Sequence, residues 1–271
     1  MKHDIQEIVT VDGREYIRIT TADERWYARQ VSVDGTAGNK QWDYVPSVTW
    51  ICDQYPKGVR FYKWLASMGW SEAEEIKASA GDKGSKVHQA INRLVTGGEI
   101  DVRTDTFENP RTLQQETLSE HEVLCVQSFC EWFEEERPEI ITSEMTVWSE
   151  KYRYAGTLDL LCKLKSTGYK VVHLIDIKTS LNIWPSMEIQ LSAYRSALMY
   201  RNVRMGILQV GYTRNKKKLW KYTPVAYQLS LFMAAYRIWK KECAGINPYQ
   251  RDYPVHFSLN QTAQTMMAAG K

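Results

Sequence analysis

The chain has 271 residues, 44% of them hydrophobic and 25% charged, proportions that suit one sizeable soluble core with room for a small accessory unit. A net charge of only +3 excludes a strong global field, so any nucleic-acid binding must come from local patches. No apolar run approaches the roughly 18 residues of a membrane span, and the Met-Lys-His-Asp start does not read as a signal peptide; both predict a soluble intracellular protein with no membrane partner.

In chain order, residues 1–45 are expected to be β-rich. Ile8-Val9-Thr10-Val11 and Tyr16-Ile17-Arg18-Ile19 flank Asp12-Gly13, a hairpin turn signal, and a third strand is expected from Arg25 to Val33. This segment is either an accessory β-subdomain or an extra edge of a main sheet, and no catalytic set is visible in it. From Ser47 the pattern turns helical, with short helices predicted over Thr49–Gln54 and Gly58–Met68 and a longer one from Ser71 to Val95. On that third helix Gly84, His88, Ile91 and Val95 share one face. A lone histidine there is ordinarily a hydrogen-bonded core residue, and a glycine one turn earlier would let other groups approach closely.

Gly97-Gly98 ends the helix, and Glu99 to Arg111 reads as a polar loop. A helix is then expected from Thr112 to Arg137, with Val126, Phe129, Trp132 and Phe133 buried and Pro138 beyond its end. A strand follows over Ile140–Trp148, then a hairpin from Leu158 to Ile175, then a helix from Pro185 to Tyr200. Val203–Thr213 and Leu219–Thr223 read as a second hairpin and Ala226–Cys243 as a final helix. The tail, 248–271, has the composition of a poorly ordered terminus.

The Leu158–Ile175 hairpin carries the chemistry. With Thr167-Gly168 as its loop and Gly168 at a positive φ, Asp159 falls directly opposite Asp176, and opposed residues stand about 4.5–5.5 Å apart at Cβ on one face. Lys178, two residues on, shares that face. Facing carboxylates repel unless something neutralises them. A divalent cation with hard oxygen ligands, Mg²⁺ or Mn²⁺, would do so and could serve phosphoryl chemistry; a solvated ion cluster at a strand end is the plainer alternative. His173, three residues before Asp176, points to the opposite face and reads as structural.

Asp159 with Asp176-Ile177-Lys178 resembles the core of the PD-(D/E)xK nuclease superfamily. Gly84-Ser85-Lys86-Val87-His88 and Gln190-Leu191-Ser192-Ala193-Tyr194 resemble the Gly-x-x-x-His and Gln-x-x-x-Tyr motifs of its RecB-like branch. Glu144 stands where many members carry an acid, and Pro46-Ser47-Val48-Thr49 is similar to the opening of phage and mitochondrial genome-maintenance exonucleases. Leu158 replaces the proline of the family name. The resemblance implies an α/β fold: a central mixed sheet of four or five strands with helices on both faces, over residues 46–247, preceded by the 1–45 extension.

It also implies a metal-dependent DNA exonuclease acting in recombination, repair or phage genome processing. DNA with a free end would be its partner, and a second copy or a recombination protein a possible companion. The setting implied is a bacterial or phage-infected cytoplasm rather than a mitochondrial matrix. His88, Asp159, Asp176 and the Ile177 carbonyl would hold the metal, Lys178 would act on water, Gln190 would support the site, Glu144 would help hold a second ion, and Tyr194 would lie near the DNA. An endonuclease of the same fold and a non-catalytic DNA-binding protein are the alternatives.

Two further features are weighed from residues alone. Arg214-Asn215-Lys216-Lys217-Lys218 is the densest positive patch, either a phosphate grip or a solvated turn. Of ten tryptophans, Trp42, Trp148 and Trp184 are candidates for stacking on a base, though most should be core. Five cysteines, odd in number and scattered, predict reduced thiols and no disulfide framework. With only Cys243 beyond the hairpin, no iron–sulfur cluster is expected.

Overall fold

A computed structural model describes residues 5–11, 14–20, 24–32, 40–200, 202–214, 217–243 and 245. The chain opens with a four-stranded antiparallel meander: β1 (Ile5–Val11), β2 (Arg14–Thr20), β3 (Arg25–Ser32) and β4 (Lys40–Pro46). The expected first hairpin is present, although Asp12-Gly13 itself lies outside the described residues. The fourth strand was not expected. It pairs along the whole of β3, so the extension forms its own sheet and is not an added edge of the main one.

Ser47 joins this sheet to the rest. Its N–H bonds to the Arg25 carbonyl at 2.9 Å, it bridges Ala155 of the main sheet, and its hydroxyl caps α1 (Val48–Cys52) by accepting from Trp50 N–H at 3.1 Å. Helix α2 (Val59–Met68) ends at Gly69, whose φ of 85° breaks the run before α3 (Trp70–Val95).

Two expectations fail between α3 and the main sheet. The polar Glu99–Arg111 segment carries β5 (Phe107–Glu108), with Phe107 buried, and a small hairpin closes with β6 (Gln115–Glu116). The helix expected from Thr112 therefore starts later, as α4 (Glu120–Glu136). Ser119 and Glu122 form a reciprocal capping box that sets its start. Val126, Phe129 and Trp132 are buried along it as expected, and Arg137 at φ 43° ends it before Pro138.

The main sheet comprises β7 (Glu139–Ser149), β8 (Tyr154–Lys163), β9 (Val172–Lys178), β10 (Val203–Val210) and β11 (Trp220–Val225) in the order β11-β10-β9-β8-β7. Only β9 and β10 run parallel, and α5 (Pro185–Ala197) supplies the crossover such a pair requires; α6 (Leu229–Glu242) follows β11. Alternate side chains enter two cores. Leu174 and Ile207 pack with α1, α5 and α6, while Ile175 and Leu208 pack with α3 and α4. The fold is thus mixed α/β, a five-stranded mixed sheet with helices on both faces.

The N-terminal sheet shares the first core. Ile19 and Trp26 are buried in it, and Trp26, Trp50 and Trp239 meet edge to face with ring centroids 4.9–5.8 Å apart. All five cysteines are free thiols. Among the described residues no helix is long and apolar enough to cross a membrane. The tail after residue 247 lies outside the described residues.

Candidate functional site

The β8–β9 register is the expected one, but the loop is not. Leu160↔Ile175, Leu161↔Leu174, Cys162↔His173 and Lys163↔Val172 pair directly. The connection, however, spans 164–171, with a 3-10 turn at Lys165–Thr167 and both Gly168 and Tyr169 at φ 59°. Continued one step, this register would set Asp159 opposite Asp176. The ladder stops there instead, because Asp159 Oδ2 accepts the Ile177 N–H at 2.6 Å. The carboxylate thus takes the donor that a strand neighbour would otherwise have used.

Three groups meet above this point. His88, from α3, has Nδ1 3.6 Å from both Glu144 Oε1 and Asp159 Oδ1, and its Nε2 lies 3.0 Å from the Ile177 carbonyl, to which it donates. His88, Glu144 and Asp159 offer ligand atoms all within 4.8 Å of one another. Burial alone would lower the imidazole, but the charges of Asp159 and Glu144 outweigh it and hold it at about 9. The pair of carboxylates favours a positive partner, and their charges favour the protonated form of His88 in the metal-free protein.

Glu144 reaches this position by an unusual backbone. Ser143↔Leu160 and Met145↔Leu158 bracket it, so it falls opposite Asp159 across the β7–β8 ladder, and its φ is 48°. A non-glycine residue in that region stores about 1–3 kcal/mol. The sheet therefore places Glu144, Asp159 and Asp176 at one level on three adjacent strands.

Asp176 is 2% exposed, and Lys178 Nζ lies 2.7 Å from its Oδ2. Neither of its oxygens has a hydrogen bond of good geometry. Burial, opposed by Lys178 and reinforced by Asp159, pushes its carboxyl up to about 6. Lys178, for which burial is outweighed by Asp176 and Asp159, is held above the ordinary lysine value. Of the four expected ligands, His88 and Asp159 come together. Asp176 is paired with Lys178, the Ile177 carbonyl accepts from His88, and Glu144, expected to help hold a second ion, joins His88 and Asp159.

The supporting residues are held by packing. Gln190 Nε2 donates to Tyr194 Oη at 2.8 Å, and Tyr194 is only 3% exposed. The tyrosine thus steadies Gln190 at the cleft wall. Its ring requires Gly156, where a Cβ would lie 2.5 Å from Tyr194 Cε1. At Gly84 a Cβ would meet Thr179 Oγ1 at 3.8 Å, an ordinary contact, so no close approach demands that glycine. His173, as expected, is structural: buried, bonded to Thr167 and Tyr222 at 3.3 Å each, and with its pKa lowered first by burial.

These groups open into a cleft of about 1120 Å³ whose walls include His88, Glu144, Asp159, Lys178, Gln190 and Tyr194. Sequence reasoning missed one wall. Arg18, Thr20, Arg25 and Tyr27 of the N-terminal sheet line the same cleft. Their spacing at alternate positions on β2 and β3 was the available signal. In the basic turn, Lys216 lies outside the described residues, Lys218 pairs with Glu135 and covers Trp220, and Arg214 donates to the Leu181 carbonyl at 3.3 Å, beside the loop that follows Lys178. Lys217 belongs to the same turn. Trp184 is 47% exposed at the start of α5, whereas Trp148 is covered by Arg29 and Arg153, and Trp42 lies half-buried on β4.

No family model matches this chain, and no curated protein matches it significantly.

Proposed function

We propose that this protein is a divalent-metal-dependent deoxyribonuclease with a PD-(D/E)xK-type centre, acting as an exonuclease on DNA with a free end. One observation carries the reading. At one end of a five-stranded mixed sheet, His88, Glu144 and Asp159 converge beside a buried Asp176–Lys178 pair on the wall of an open cleft.

The donor set fits a hard divalent ion. Two carboxylates and an imidazole are drawn together although the carboxylates repel, and the buried Asp176, with Lys178 Nζ 2.7 Å from its Oδ2, adds a third carboxylate nearby. His88, Glu144 and Asp159 would hold Mg²⁺ or Mn²⁺. Such an ion lowers the pKa of water and offsets charge developing on a phosphoryl group.

The chain's own residues supply the rest. Asp176 keeps the Lys178 ammonium charged and fixed, and Lys178 orients the attacking water or donates to a non-bridging phosphate oxygen. Asp159 holds β8 against β9 through Ile177, so the carboxylate cannot swing away as charge changes. Gln190, steadied by Tyr194, supports the rim. The test uses 5′- and 3′-labelled linear DNA, single- and double-stranded, beside a closed circle, with Mg²⁺, Mn²⁺ or EDTA. Release of nucleotides from linear substrates, dependent on the metal, is expected; metal-independent cleavage, or none on any substrate, overturns the reading.

A further inference from the structure

We propose that the N-terminal sheet is the substrate grip of this cleft: Arg18 and Arg25, side by side on one face of the β2–β3 hairpin, take successive phosphates of a single polynucleotide strand. The assignment rests on the nuclease reading above and names the surface that would hold its substrate.

The register decides which side chains share that face. Tyr16↔Arg29, Arg18↔Tyr27 and Thr20↔Arg25 are directly paired, so these six residues project to one side. Ile19 and Trp26 project to the other and are buried in the core with α1 and α6. Along the outward face the chemistry changes with position. At one end Arg29 pairs with Asp43 and Glu150 and lies over Trp148, 4.5 Å from its ring centroid. In the middle the Tyr27 hydroxyl is 2.9 Å from Thr157 Oγ1, two residues before Asp159. At the other end Arg18, Thr20 and Arg25 line the cleft that Asp159 and Lys178 share.

The chemistry of the two arginines suits phosphate. Guanidinium stays charged at any working pH, and its fork matches two phosphate oxygens. Arg18 and Arg25 are diagonal cross-strand neighbours, which stand about 7–8 Å apart, on the scale of adjacent phosphates along one strand. The start of β3 is held by the Ser47 N–H on the Arg25 carbonyl at 2.9 Å, so the grip is fixed relative to the main sheet. The occupant is thus a strand laid between the arginine face and the carboxylate site, with its backbone toward the N-terminal sheet.

The experiment measures binding of a fluorescein-labelled single-stranded DNA oligonucleotide by anisotropy in Ca²⁺ across a salt series, with cleavage followed in Mg²⁺ or Mn²⁺. Replacing both residues, Arg18→Gln with Arg25→Gln, should weaken binding at least about tenfold and lower the slope of log Kd against log salt by about 1.4, the loss of two phosphate contacts on a single strand. The loss of activity should fall on KM more than on kcat. If the double variant does not fold by circular dichroism, Arg25→Gln alone should lower the slope by about 0.7. A folded variant with wild-type Kd and salt slope, in a protein that does cleave DNA, overturns the grip and leaves the nuclease reading standing. If the wild type neither binds nor cleaves DNA, both fall.

Discussion

Asp159 holds two strands together with one side chain. Its Oδ2 accepts the Ile177 N–H at 2.6 Å, while the Ile177 carbonyl accepts from His88 and Asp159 Oδ1 faces His88 Nδ1 at 3.6 Å. The carboxylate, the peptide of Ile177 and the imidazole therefore form a closed ring of contacts. Displacing any one of them disturbs the other two.

The first expected outcome concerns the cation. EDTA should abolish nuclease activity and Mn²⁺ should restore it. Independently of activity, Mn²⁺ at about a hundred times its Kd should stabilise the wild type by about 2.7 kcal/mol, a rise of roughly 5 °C or more in melting temperature for a chain of this size. Asp159→Ala and Glu144→Ala should each lose most of that rise. An undiminished metal-induced shift in both variants would remove these residues from the site.

A second outcome follows from pH, in metal-free protein. Asp176 has a folded pKa pushed up, first by burial, to about 6 from the ordinary 3.8. A group raised on folding contributes stability that is present below its unfolded value and lost as pH rises through the folded one. Asp176→Asn should therefore gain stability relative to the wild type between about pH 4 and 7, by on the order of 1–3 kcal/mol, and level off above. Urea unfolding in EDTA across that range measures it. A difference independent of pH would mean that Lys178 keeps the carboxylate ionised throughout.

The two histidines separate next. His88→Ala should lower activity at least roughly tenfold with little loss of fold. His173→Ala leaves Thr167 and Tyr222 without their shared partner, and should cost about 1–3 kcal/mol in stability with turnover close to wild type in the folded fraction. The reverse pattern would overturn the assignment of His88 to the site.

Lys178 is expected to act in the chemical step. Lys178→Ala should lower turnover by orders of magnitude while leaving DNA affinity in Ca²⁺ nearly unchanged. Lys178→Arg should not rescue it, because a planar guanidinium cannot mimic a compact ammonium and stays protonated. Should affinity fall in proportion to activity, the lysine is an anchor for phosphate instead.

A last outcome concerns topology of the substrate. Linear DNA should be degraded to short products while covalently closed circles persist. Rapid opening of a relaxed circle at low enzyme would assign an endonuclease to the same centre.

Much of the sheet was legible because burial imposes period-two patterns. The β8–β9 register was read correctly through a wrongly drawn loop, since Leu160, Leu161, Leu174 and Ile175 must each face a core and a slip by one would turn them all outward. Short pieces carry no period: β5 and β6 have two residues each, and Ser119, the residue that delays α4, was hidden inside an apparently helical run. The placement of Glu144 had another cause. That Glu144 turns toward His88 depends on its φ of 48°, a backbone state that an ordinary glutamate in a strand does not announce. Asp176 is paired with a lysine two residues away, a contact that follows from their shared strand face.

The three tryptophans that join the sheets set the unit of folding. Trp26 belongs to the N-terminal sheet, Trp50 to α1 and Trp239 to α6, so their contact ties together segments more than two hundred positions apart in the chain. Trimming the chain at residue 45 to isolate a nuclease core would strip Ile19 and Trp26 from that floor and leave α1 and α6 facing water. The boundary visible in the strand pattern is therefore not a place where the molecule comes apart. On denaturation the arginine-bearing sheet and the carboxylate-bearing sheet should melt in one transition, and a protease that opens either should consume both.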